Sequence, residues 1–133
     1  MPDVSISPET PWPWIAPSEN SSSGNSLIVN ALPENPPYST SYAGIFGGYS
    51  GDETDSSNNR VVVNESFAST HIYVLFGGSA VGSGNAESNR VELYAGDFDN
   101  VFGGATDHEG RAIGNTVIIH NGRSRNIYGG LAD

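Results

Sequence analysis

An all-β chain, a right-handed parallel β-helix (β-solenoid) of about four turns of about 26 residues, is predicted by three features of the sequence. Four Gly-Gly pairs each follow an apolar-aromatic pair, and four asparagines each open a run of alternating aliphatics. The distance from a Gly-Gly pair to the next such asparagine is constant.

The pairs are Ile45-Phe46-Gly47-Gly48, Leu75-Phe76-Gly77-Gly78, Val101-Phe102-Gly103-Gly104 and Ile127-Tyr128-Gly129-Gly130. The asparagine runs begin at Asn25 (Leu27, Val29), Asn59 (Val61, Val63), Asn89 (Val91, Leu93) and Asn115 (Val117, Ile119). Their period is two, so each Asn shares one strand face with two aliphatics. From the first glycine of a pair to the next Asn the step is 12 residues each time (47 to 59, 77 to 89, 103 to 115), while from Asn forward to the pair it is 22, 18, 14 and 14. Two sides of the coil are therefore fixed in length. The insertions fall on one edge, around Ala31 to Tyr42 and Phe67 to Thr70.

The last two copies superimpose without a gap over 26 residues, matching Gly84 to Gly110, Ala86 to Ala112, Gly96 to Gly122 and Asn100 to Asn126. Two clear strands and a weaker third around Gly-x-Ala make one turn of a three-sided coil, which rises by one strand spacing of about 4.8 Å. The columns Ile45, Leu75, Val101, Ile127 and Leu27, Val61, Val91, Val117 then face inward as the core. Stacked Asn25, Asn59, Asn89 and Asn115 form an amide ladder at a bend. Phe46, Phe76, Phe102 and Tyr128 form an aromatic column that serves either stacking stability or an exposed binding stripe. The Gly-Gly pairs supply positive φ or close approach at a corner.

Residues 1–24 stand outside the repeat. Five prolines with Trp12 and Trp14 predict an extended N-terminal arm or cap, distinct from the repeat domain 25–133. The two indoles call for burial, on the solenoid's own end or on a neighbouring subunit as an assembly arm. At the other end Asp133 falls before the next Asn that the 12-residue step requires, in mid-turn. An uncapped end exposes strand edges, so the expectation is either a longer array or end-to-end assembly.

Composition narrows the function. The chain holds 15 acidic residues against five arginines and no lysine, a net charge of −10 that repels phosphate backbones and anionic bilayers. Neither nucleic acid nor membrane insertion is expected. Zero cysteine excludes disulfides and thiolate chemistry. His71, His108 and His120 fall at different points of the repeat and share no metal-ligand spacing. The acidic residues lie mainly in turns, where Glu53, Ser83 and Glu109 occupy equivalent places; these read as solvated turns, with a weak calcium site as the alternative. No catalytic residue, metal ligand or cofactor is predicted. A carbohydrate-active β-helix would need a carboxylate pair with a nearby arginine on adjacent turns, and Asp97, Asp99 with Arg123 or Arg125 are the candidates.

From Gly84 to Gly130 the pattern Gly-x-Ala-x-x-Asn-x-Val-x-Ile/Leu followed by Val/Ile-Phe/Tyr-Gly-Gly resembles the passenger repeats of bacterial autotransporter and adhesin-type proteins. The resemblance covers about residues 25 to 130. It implies a right-handed parallel β-helix at a cell surface, with adhesive or structural work and no catalytic residues. The expectation is thus a non-enzymatic extracellular or cell-surface scaffold, self-assembling into a fibre, with itself, a surface receptor or a glycan as partner. The alternative is a carbohydrate-active or carbohydrate-binding β-helix.

Overall fold

Alternating aliphatics bounded by glycine, asparagine and serine form short strands, and the repeat stacks like strand on like. The structure is a computed structural model and describes residues 4–6, 14–15, 23–30, 44–51, 54–64 and 72–133. Fourteen strands alternate among three parallel sheets and no helix occurs among the described residues. They are β1 (Val4–Ile6), β2 (Trp14–Ile15), β3 (Ser26–Val29), β4 (Gly44–Phe46), β5 (Tyr49–Ser50), β6 (Ser56–Ser57) and β7 (Arg60–Val63). There follow β8 (Ile72–Ala80), β9 (Ala86–Glu87), β10 (Arg90–Leu93), β11 (Asp97–Thr106), β12 (Ala112–Ile113), β13 (Thr116–Ile119) and β14 (Arg123–Ala132).

The first sheet runs β1-β3-β7-β10-β13, the second β14-β11-β8-β4-β2 with β5 also on β8, and the third β12-β9-β6. The chain is thus the β-solenoid its repeat predicts. Successive ladder asparagines are 34, 30 and 26 residues apart, which makes three closed turns. The fourth copy adds two further sides, β13 and β14, so the four copies make three closed turns and this partial rung. Two strands within residues 1–24 also join the stack: Val4 pairs with Leu27 and Ile15 with Ile45. Trp12 lies outside the described residues, as do the insertions between the first and second sheets.

Register confirms the inward columns. Leu27, Val61, Val91 and Val117 are partners on the first sheet, and Ile45, Leu75, Val101 and Ile127 on the second. Leu27, Val29, Val61, Val63, Leu75, Val91, Leu93 and Val101 are fully buried, and Ile72 and Phe98 fill one corner of the same core. Each such side chain contributes about 1.5–3 kcal/mol relative to exposure. The last rung lacks a neighbour: Ile113, Ile119, Ile127 and Leu131 are 38–49% exposed.

The glycine pairs act differently from one half of the expectation. None of them has positive φ, and Gly77-Gly78 and Gly103-Gly104 lie inside continuous strands. Close approach is what requires them. A Cβ on Gly77 would run into the carbonyl oxygen of Gly103 on the next rung, and one on Gly78 would sit 2.5 Å from Asn89 Nδ2. Gly104 bears the same relation to Asn115. The constant 12-residue step therefore measures half a turn, from the glycine floor to the asparagine standing on it. Left-handed backbone occurs instead immediately before each ladder asparagine, at Gly24, Asn58, Ser88 and Gly114, with φ of 72°, 57°, 56° and 64°.

Candidate functional site

That left-handed residue turns the chain so that each Asn side chain points inward along the stack. Asn59 Oδ1 accepts both the backbone N–H and the Nδ2 of Asn25, at 3.0 Å each. Asn89 Oδ1 accepts the same two groups of Asn59 at 3.0 and 2.9 Å, and Asn115 Oδ1 those of Asn89 at 2.9 Å each. Asn89 Nδ2 also donates to Ser56 O and Asn115 Nδ2 to Ala86 O. The asparagine-to-asparagine bonds are directional, Asn25, Asn59 and Asn89 each donating to the next rung toward the C-terminal end, and these three are buried. It satisfies backbone groups where the strand pairing is broken.

The aromatic column is also a stack. Phe46, Phe76, Phe102 and Tyr128 have centroids 5.1, 4.8 and 4.9 Å apart and interplanar angles of 16°, 13° and 8°. These rings are on the outer face of the second sheet, half-buried, with Tyr128 at the open end 38% exposed. Ring faces are mostly covered by their neighbours, so the column presents edges to solvent.

Asp97 and Asp99 on β11 lie beside Arg123 and Arg125 on β14. Arg123 Nη2 is 3.1 Å from Asp97 Oδ2 and Arg125 Nε is 3.7 Å from Asp99 Oδ1. With Phe98 and Ser124 the four line a hollow of about 310 Å³. Each carboxylate faces a guanidinium one rung away, a geometry of charge pairing across the stack rather than of an acid and a base facing each other over a gap.

Two polar arrangements were hidden from sequence reasoning. One is a second ladder before the third side: Asp55 Oδ1 accepts Asn85 N–H at 2.8 Å and Asn85 Oδ1 accepts Arg111 N–H at 3.0 Å. The other lies on the outer face of the first sheet, where the Glu92 carboxylate, 12% exposed, takes Arg90 Nε at 2.7 Å and the Tyr94 hydroxyl at 3.3 Å. Arg60 Nε is 3.9 Å from it and His120 Nε2 3.7 Å, and the His120 ring stacks on Tyr94 at 4.2 Å. The Arg90 hydrogen bond outweighs the cost of burial and, with the Arg90 charge, the Tyr94 hydroxyl and Arg60, holds the Glu92 carboxyl below its ordinary range.

Among the described residues, no three metal-ligating side chains gather. His108 pairs with Asp107 at 3.3 Å, while His71 and Glu53 lie outside the described residues. Comparison of the chain with protein-family models, with curated proteins and with solved structures finds no match.

Proposed function

We propose that this chain is a non-enzymatic scaffold module of an extracellular or bacterial cell surface, a rigid solenoid that self-assembles end to end into a fibre. The directional asparagine ladder carries this reading. Identical residues on successive rungs serve one another, glycine making room and asparagine tying rungs together, and that is chemistry for building a rod.

Both ends support assembly by addition. Among the described residues, β13 and β14 are the last strands of the two larger sheets at one side of the stack and β1 and β2 at the other, all running parallel. Such ends match head to tail, a contact that repeats without closing and gives filaments. The carbohydrate-active reading draws support from the Asp97–Arg123 hollow alone.

Negative-stain electron microscopy with light scattering on the 133-residue chain tests the proposal. The expected result is filaments whose axial repeat is near 24 Å, the five strands stacked along each larger sheet at about 4.8 Å apiece. A chain that stays monomeric at roughly 100 μM, where a micromolar contact is saturated, would overturn it.

A further inference from the structure

The outer face of the first sheet follows a column rule. Its register aligns Ser26, Arg60, Arg90 and Thr116, then Ile28, Val62, Glu92 and Ile118. One position on, Asn64, Tyr94 and His120 each donate a backbone N–H to the preceding rung, and Asn64 Nδ2 donates to Asn30 Oδ1 at 3.1 Å. The scaffold's own solution for the second column is apolar, and for the third an asparagine pair. Glu92, Tyr94 and His120 break both rules within two adjacent rungs, and they meet one another.

Fold stability does not require the exception. Val62, one rung below Glu92, fills the same column at 5% exposure without any polar network, while the Glu92 residue, 9% exposed as a whole, needs Arg90 and Tyr94 to offset the desolvation of its carboxylate. Local rules broken together on one patch of a regular scaffold point to a grafted site.

We propose that this patch binds carboxylate-bearing sugars, uronate residues of a saccharide, with Arg60 and Arg90 receiving the carboxylate and Tyr94 and His120 packing against the sugar ring. Arg60 and Arg90 are register partners on adjacent rungs, and their side chains are 45% and 46% exposed. Glu92 engages both through Nε, which leaves the terminal guanidinium nitrogens for a ligand; among the described residues neither guanidinium has another partner. Adjacent rungs are about 4.8 Å apart, so one carboxylate can lie between two forks. Tyr94 and His120, 42% and 45% exposed, offer a ring surface alongside.

The surroundings select the class. A net charge of −10 repels a long polyanion, so a short saccharide fits where an extended charged chain does not. Strands β7 and β10 are interior to the sheet with both edges paired, so the patch offers no backbone groups to an extended peptide. Recognition falls to side chains, which suits a sugar's carboxylate, hydroxyls and C–H face. The site is complete within one chain, so it stands or falls independently of filament formation.

The test titrates the isotopically labelled chain with a galacturonate trimer and with a neutral galactose trimer, following amide shifts at low salt. Expected are shifts confined to residues 60–64, 90–94 and 116–120, at least tenfold weaker binding of the neutral trimer, and about tenfold loss in Arg60→Gln. Arg90→Lys keeps the charge without the fork and is expected to bind at an intermediate level, and Arg123→Gln to bind as the parent does. Circular dichroism checks that the three variants fold alike. Absence of shifts at about 10 mM uronate, beyond the millimolar range of weak sites, would overturn the proposal. So would equal binding of the neutral trimer, an unaffected Arg60→Gln, or shifts centred on Asp97 and Arg123.

Discussion

Asn89→Ala is expected to destabilise the solenoid by about 3 kcal/mol or more, because each buried polar group left without a partner costs about 1–3 kcal/mol. The deletion removes the acceptor of Asn59's backbone N–H, one of the two acceptors of its Nδ2, which keeps Ser56 Oγ, and the donor to Ser56 O. All lie in the middle of the stack, away from water. Chemical denaturation of the variant and parent measures the loss. A matched control is Asn126→Ala, which breaks a bond of similar length, Asn126 Nδ2 to Asn100 Oδ1 at 2.9 Å, on an exposed face. There water replaces the partner, and the expected change is within about 0.5 kcal/mol. Equal losses at the two sites would show that the ladder is ornament to the fold.

Gly77→Ala tests the floor on which the ladder stands. Its Cβ would collide with Gly103 O, while Val91 Cγ2 at 3.1 Å and Asn89 Cβ at 3.2 Å close the remaining sides. A backbone oxygen in a paired strand cannot turn aside as a side chain would. Overpacking costs about 1–3 kcal/mol where side chains adjust, and the rigid backbone places this substitution at or above the upper end. Gly51→Ala is the contrast: its Cβ would meet only the Tyr49 ring, at 3.3 Å, which is exposed and able to shift. That variant is expected to be near neutral in the same denaturation experiment.

These two residues also show why much of the fold was legible. Gly77 and Asn89 interact with copies of themselves on neighbouring rungs, so the physical constraint repeats identically and appears in the sequence as an invariant step. The aliphatic and aromatic columns were legible for the same reason. Where different residues satisfy one constraint, the signal vanishes. The left-handed corner is occupied by Gly24, Asn58, Ser88 and Gly114, which share a backbone conformation and no side chain. The second ladder joins Asp55 to Asn85 and then to a backbone donor at Arg111. Strands β1 and β2 lie in proline-rich sequence whose residues do not repeat the motif, yet Val4 is the register partner of Leu27 and Ile15 that of Ile45.

The candidate sites divide along the same line. Asp97, Asp99, Arg123 and Arg125 could be paired in advance because the 26-residue step places 97 against 123 and 99 against 125. Glu92 could not. Its partners come from three rungs, and a single acidic residue within an alternating aliphatic run reads as an ordinary solvent-facing position until the stack brings Arg60 and His120 beside it.

Hydrogen exchange of the four ladder amides tests most directly whether the asparagine side chains tie the rungs into a rigid rod. In the isolated chain the backbone N–H groups of Asn25, Asn59 and Asn89 each donate to a carboxamide on the next rung. That of Asn115 has no acceptor among the described residues. The first three are expected to exchange as slowly as core amides such as that of Val91, opening only with the whole fold, while Asn115 exchanges rapidly. Exchange of Asn59 and Asn89 at the rate of Asn115 would mean that the side-chain ladder does not tie the rungs together.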